Sequence, residues 1–247
     1  MSPRRADPDA HERLLAAAAR LMAEEGARAL TARRLATEAG TSTMAVYTRF
    51  GGMEEVRDAV RAEGFARLSA ALDAVTPTDD PVRDLVAAGA VYLRFGLDQP
   101  DLYRAMFLDP PRVPGAGTVG HGAFGRLVAA VRRCVDAGRF GDETVAPDAP
   151  GVPPGADAAS GWAVQLWTMR HGLVSLATVG LMPSEQVGLH VADMSLRLFL
   201  GYGDDRASAA RSIAEGMAPA FPTPTAVPRP ESTSPAGTSQ SPREPAR

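Results

Sequence analysis

The chain has 247 residues, 45% of them apolar and 6% aromatic, with 26 basic residues, all arginine, against 29 acidic ones and a net charge of −3. That length buries one large core or two small ones, and the acidic balance excludes a general nucleic-acid coating protein. One cysteine, Cys134, excludes an intrachain disulfide, and His11, His121, His171 and His190 stand without metal-ligand spacing. Ala, Leu, Arg and Glu recur at helical spacing and strand-type alternation is nearly absent, so the expected fold is all-α.

In chain order, residues 1–8 read as a disordered arm whose Arg4 and Arg5 are candidate DNA contacts. An export signal is not expected there, because Asp7, Asp9 and Glu12 follow where an apolar region would be needed; a cytoplasmic protein is expected. A helix from Pro8 to Glu25 follows, with Leu14, Leu15, Ala18, Leu21 and Met22 on one face and Gly26 at its end. Thr31 is placed to cap a short helix with Leu35, Ala36 and Ala39 inward, Gly40 to make the turn, and Ser42 or Thr43 to cap a second helix. Val46, Tyr47 and Phe50 are expected to face inward on that helix. This pattern is a helix-turn-helix, whose second helix enters a DNA major groove. Four basic residues, Arg28, Arg33, Arg34 and Arg49, face one acid, Glu38, between residues 28 and 50, so the local charge is positive although the total is not.

A fourth helix opens after Gly51-Gly52 and runs to about Val75. Helices are expected over 82–98, 101–108, 123–137, 158–181 and 184–202, with a weaker one over 204–217. Loops rich in Pro and Gly fill 109–120 and 141–155. Gly115 to Gly120 fits GxGxxG, but the proline-rich segment before it cannot form the buried strand of a dinucleotide fold. The apolar run Gly172 to Met182 is too short for a membrane span. Residues 219–247 read as a disordered Pro/Ser/Thr-rich tail. Apolar stripes on the last two long helices, namely Trp162, Leu166, Leu173, Leu176 and Val179 on one and Val187, Val191, Met194, Leu198 and Phe199 on the other, exceed what one core needs. A homodimer through these helices is expected. No catalytic motif, metal site or cofactor site is found, so an enzyme is not expected.

The run from Leu30 to Val56, LTARRLATEAGTSTMAVYTRFGGMEEV, resembles the N-terminal domain of the TetR (tetracycline repressor) family of transcriptional regulators, over residues 8–70. Tyr47-Thr48-Arg49-Phe50 corresponds to that family's Tyr-x-His-Phe signature, and Met53 stands where the family often has lysine. The resemblance implies that Thr31, Thr43, Tyr47 and Arg49 donate to phosphates and that Ser42, Met44, Ala45 and Thr48 face base edges. A bidentate guanine contact would come from Arg33, Arg34 or Arg49. Farther on, Tyr92 to Phe95, Pro100 to Phe107 and Trp167 to Leu173 resemble the C-terminal domain associated with this family and named for its Trp, His and Gly.

There Trp167 and His171, four apart, share a helix face, and Gly172 is expected to admit a neighbouring helix. Tyr92, Phe95, Tyr103, Phe107, Trp162, Trp167 and His171 are the candidate ligand-binding residues. The expected organisation is a helix-turn-helix DNA-binding domain over 9–52 and a helical regulatory and dimerisation domain over 53–218. The expected function is a ligand-responsive regulator, a repressor released from double-stranded operator DNA by a small apolar effector. A competing reading, a small-molecule-binding helical protein with weak or lost DNA binding, rests on Met53 and the negative net charge.

Overall fold

The structure, a computed structural model, describes residues 10–108, 121–142 and 157–222. Arg4 and Arg5, the expected arm, the GxGxxG segment and the tail from 223 lie outside the described residues. The described residues form ten α-helices and no strand: α1 Ala10–Glu25, α2 Ala32–Glu38, α3 Thr43–Phe50, α4 Met53–Asp73, α5 Pro81–Asp98, α6 Pro100–Phe107, α7 His121–Asp136, α8 Ala158–Thr178, α9 Ser184–Gly201 and α10 Arg206–Met217. None of these helices is long and apolar enough to cross a membrane.

Side chains that fold back on the backbone set the starts of the helices. Thr31 Oγ1 accepts from the Arg34 amide at 3.2 Å and Ser42 Oγ from the Ala45 amide at 3.2 Å. Asp80, Asp157 and Asp205 cap α5, α8 and α10 in the same way, each satisfying amides that have no partner inside the helix. Gly40 and Gly51 close α2 and α3 at φ +63° and +90°, a left-handed backbone that glycine adopts without strain.

The apolar faces pack into two clusters. The lower one holds Leu14, Leu21, Leu35, Ala36, Val46, Val56 and Val60 from α1–α4, and it is completed by Phe95, Leu102, Ala105 and Met106 from α5 and α6. Gly64 lets α4 and α6 close on each other: a Cβ there would stand 2.6 Å from Met106 Sδ. The upper cluster joins α5 to α7–α10 around Leu85, Leu93, Val131, Leu166, Val174 and Phe199.

Three expectations change. Tyr47 does not face inward: at its place on the eight-residue α3 only Val46 is fully buried, Phe50 is half-buried against His11 with ring centroids 4.7 Å apart, and Tyr47 faces solvent. Gly172 meets no other helix among the described residues; a Cβ there would have nothing within 4 Å. The stripes of α8 and α9 are divided: Trp162, Leu166, Leu173, Val187, Val191 and Phe199 fill the upper core, while Leu176, Val179 and Met194 remain exposed. Helical spacing fixes a face but not how much of it a neighbouring helix of the same chain covers, and α10 and α5 cover more than the stripes alone suggest.

Candidate functional site

Two surfaces carry chemistry, and α4 touches both. The first is the outer face of α3. With Val46 anchored in the lower core, helical geometry turns Met44, Tyr47 and Thr48 outward, and Met44 is 72% exposed. Ser42, Thr43 and Thr31 are exposed at the starts of α3 and α2, and Ala45 is half-buried. Thr48 donates its hydroxyl proton to the Met44 carbonyl at 2.8 Å, so its methyl group and oxygen lone pairs remain for an outside partner. Arg33 is exposed and Arg49 half-buried, whereas Arg34 is engaged by the Glu25 carboxylate and Arg20 by Glu38 at 2.6 Å. These exposed pairs are weak, so a phosphate can compete for Arg34.

The second surface is internal. A cavity of about 830 Å³ lies between α4 and the helices α5–α8, within the size range of small-molecule sites. α4 supplies Arg61, Phe65 and Leu72, α5 supplies Gly89 and Tyr92, α6 supplies Phe107, α7 supplies Phe124 and Leu127, and α8 supplies Val164, Trp167, Arg170 and His171. Of the expected ligand-binding residues, Tyr92, Phe107, Trp167 and His171 line this cavity. Tyr103 is fully buried behind them, its hydroxyl 2.7 Å from that of Tyr92 and 2.5 Å from His171 Nδ1. Phe95 and Trp162 are not brought there: Phe95 belongs to the lower core, and Trp162 stacks on Tyr202, centroids 4.7 Å apart, beside Phe140.

Burial governs the ionisable groups around the cavity. It pushes the Tyr92 hydroxyl up to about 12 and Tyr103 higher still, so both stay protonated, and it pushes His171 below its ordinary 6.5, so the ring is neutral at pH 7. The Tyr92 and Tyr103 hydroxyls stand 3.3 and 2.5 Å from Nδ1 of this neutral ring. Asp84 behaves otherwise. Burial alone would raise its carboxyl, but the Thr78 amide and hydroxyl, Arg133 and Arg83 all donate to it and hold it below the usual range. Asp73 takes a two-pronged contact from Arg126, 3.0 Å on each side, which ties α7 to the last turn of α4.

Sequence reasoning missed the arginines of this cavity. Arg61 donates to the Ala105 carbonyl at 3.1 Å and pairs with Asp58. Among the described residues, Arg170, 4% exposed, reaches only the Leu85 carbonyl at 3.4 Å, and its Nε has no hydrogen-bond partner. The available signal was a lone charge inside the apolar run of α8, three residues from Trp167 and thus on its face. No group of His, Cys, Asp or Glu among the described residues is arranged to hold a metal.

The family model described as "Bacterial regulatory proteins, tetR family" matches residues 14–60, and the one described as "Tetracyclin repressor-like, C-terminal domain" matches residues 85–200. No curated protein matches the sequence closely enough to count as a relative. Among solved structures, a protein of unknown function from Rhodococcus sp. RHA1 is 25% identical, with a TM-score of 0.64 over 83% of this chain and 100% of that one. TylP, a TetR regulator from Streptomyces fradiae, is 18% identical, with a TM-score of 0.59 over 86% and 96% of the two chains. RolR in complex with the ligand resorcinol is 18% identical, with a TM-score of 0.58 over 83% and 93%. With one model spanning the helix-turn-helix, the other running from α5 into α9, and this fold shared across nearly the whole of each neighbour, the chain belongs to the TetR family of bacterial transcriptional regulators.

Proposed function

We propose that this protein is a homodimeric repressor, not an enzyme, which binds operator DNA through α3 and is released by a small, largely apolar effector taken into the cavity beneath α4. The observation that carries the reading is the double role of α4. Its first turns, through Val56 and Val60, pack in the same core as α2 and α3, and its later turns, through Phe65 and Leu72, wall the cavity. A molecule that favours one tilt of α4 therefore moves α3 with it. In a dimer this changes the separation of two recognition helices that must reach major grooves about 34 Å apart. An effector must favour the released geometry by a few kcal/mol to shift occupancy appreciably. RolR, which holds resorcinol within the same fold, is an example compatible with this reading.

On α3 and α2, Thr31, Thr43, Tyr47 and Arg49 are assigned to phosphates, and Ser42, Met44, Ala45 and Thr48 to base edges, with Arg33 and Arg34 as further donors. The dimer is assigned to the exposed face of α8 and α9. Thr168, Gly172, Leu176 and Val179 follow one another at helical spacing there, and Gly172 leaves room for a partner helix.

Fluorescence anisotropy with the DNA upstream of the protein's own gene and a scrambled duplex, at two salt concentrations, tests the reading. A strong preference for the upstream DNA is expected, and Arg49→Ala is expected to weaken binding to both duplexes and to lower the salt slope by about 1. Equal, weak or absent binding of the two duplexes would overturn it in favour of a sensor that has lost DNA binding.

A further inference from the structure

Among the described residues, Arg170 is the one charged side chain of the cavity wall whose charge meets no opposite charge. The carboxylates nearby are committed: Asp73 to Arg126, and Asp84 to Arg83 and Arg133. The ionisable groups that act on Arg170 are Tyr202, Tyr92 and Cys134, all neutral at pH 7. Burial pushes its guanidinium down to about 10, still far above neutrality, so it remains a cation. A cation so placed, with Nε bare and one long contact to a carbonyl, is unfavourable for the folded chain unless something supplies the missing charge. The fold nonetheless makes room for it: Gly89 faces the guanidinium so closely that a Cβ there would stand 2.4 Å from Cζ. Around it the cavity is aromatic and aliphatic, with Phe65, Tyr92, Phe107, Phe124 and Trp167 in its wall.

We propose that the cavity takes an organic anion, a flat apolar body bearing one carboxylate-, phenolate- or sulfonate-like group, and that Arg170 receives the negative charge. This rests on the reading of the cavity as the effector site and narrows the effector from apolar to amphipathic. A guanidinium whose Nε lacks a hydrogen-bond partner among the described residues offers an anionic head both charge and N–H donors. Binding of the anion supplies the counter-charge that the free protein lacks, so affinity and fold stability rise together.

The test uses the full chain and two fluorescent probes that share one ring system, 1-anilinonaphthalene-8-sulfonate and its uncharged parent N-phenyl-1-naphthylamine. The sulfonate is expected to bind the wild type about tenfold more tightly or better, and to raise its melting temperature more. In Arg170→Met, which keeps an unbranched stem and removes the guanidinium and its charge, that preference should vanish while the uncharged probe still binds. Gly89→Ala, whose new methyl group displaces the guanidinium, should weaken the sulfonate more than its parent. Equal affinities in the wild type, a comparison that needs no variant, overturn the proposal, as does a sulfonate preference that survives Arg170→Met. DNA retention read in the same samples separates the two ideas. Sulfonate held through Arg170 with DNA affinity unchanged supports the anion site and removes the switching mechanism. DNA released by the uncharged probe alone keeps the switch and overturns the anion site.

Discussion

His171 is a base held among hydroxyls that burial has made reluctant to ionise. Its ring is tilted against Trp167 and Tyr103 and meets Phe107 edge to face, with centroid separations of 5.5, 5.6 and 5.4 Å, so a proton added to it is poorly solvated. The folded chain therefore binds that proton less readily than the unfolded chain, whose histidine titrates near 6.5. The sign follows: the stability held by neutral His171 is complete above that value and is lost as the pH falls toward the lower folded pKa. The melting temperature should drop between about pH 7.5 and about pH 5.5 in the wild type, and drop less in His171→Phe, which fills the same aromatic cluster and cannot titrate. An identical drop in both proteins would place the titrating group elsewhere.

At the scale of helices, the C-terminal half is joined by one arginine. Arg139, just past α7, donates from Nε and one terminal nitrogen to both oxygens of Asp204, at 2.7 and 2.8 Å, and from the other terminal nitrogen to Asp80 at 2.9 Å. Asp80 caps α5, Asp204 sits between α9 and α10, and Ser212 of α10 donates to Asp80 at 2.5 Å, so four helices meet at one cation. Asp204 has almost no solvent access, and Arg139→Met would leave its charge buried and unpaired. A loss of roughly 3 kcal/mol in urea unfolding is expected, part of which should return in the double variant with Asp204→Asn. None of this clasp was legible in the sequence, because its partners lie up to 132 positions apart. The helices themselves were legible, since Thr31, Ser42, Asp80 and Asp157 cap locally and Gly40 and Gly51 mark ends within a few residues. The cavity was half legible. Spacing put Trp167 with His171 and Tyr92 with its neighbours, but Phe95 and Trp162, alike in chemistry and period, were drawn to other cores by packing partners that no local pattern encodes. Arg170 was passed over because an isolated arginine in a helix is far more often a surface residue than a buried one.

For the molecule as a whole, the exposed apolar residues concentrate on the helices assigned to the dimer: Val164 and Leu176 on α8, Val179 and Leu181 just after it, and Leu189 and Met194 on α9. Leu189, 68% exposed on a helix with a well-packed opposite side, contributes little to the single chain, so Leu189→Glu should leave the fold intact. If this face joins two copies, the variant sediments as a monomer and binds palindromic DNA far more weakly than the wild type. A variant that remains dimeric would move the interface elsewhere. One further consequence belongs to α6. Leu102, Ala105 and Met106 complete the core beneath the helix-turn-helix, while Phe107, one residue on, stands in the cavity wall. The core beneath α1–α3 is thus not closed at residue 52, and a fragment cut there would leave behind part of the apolar surface on which its own helices rest.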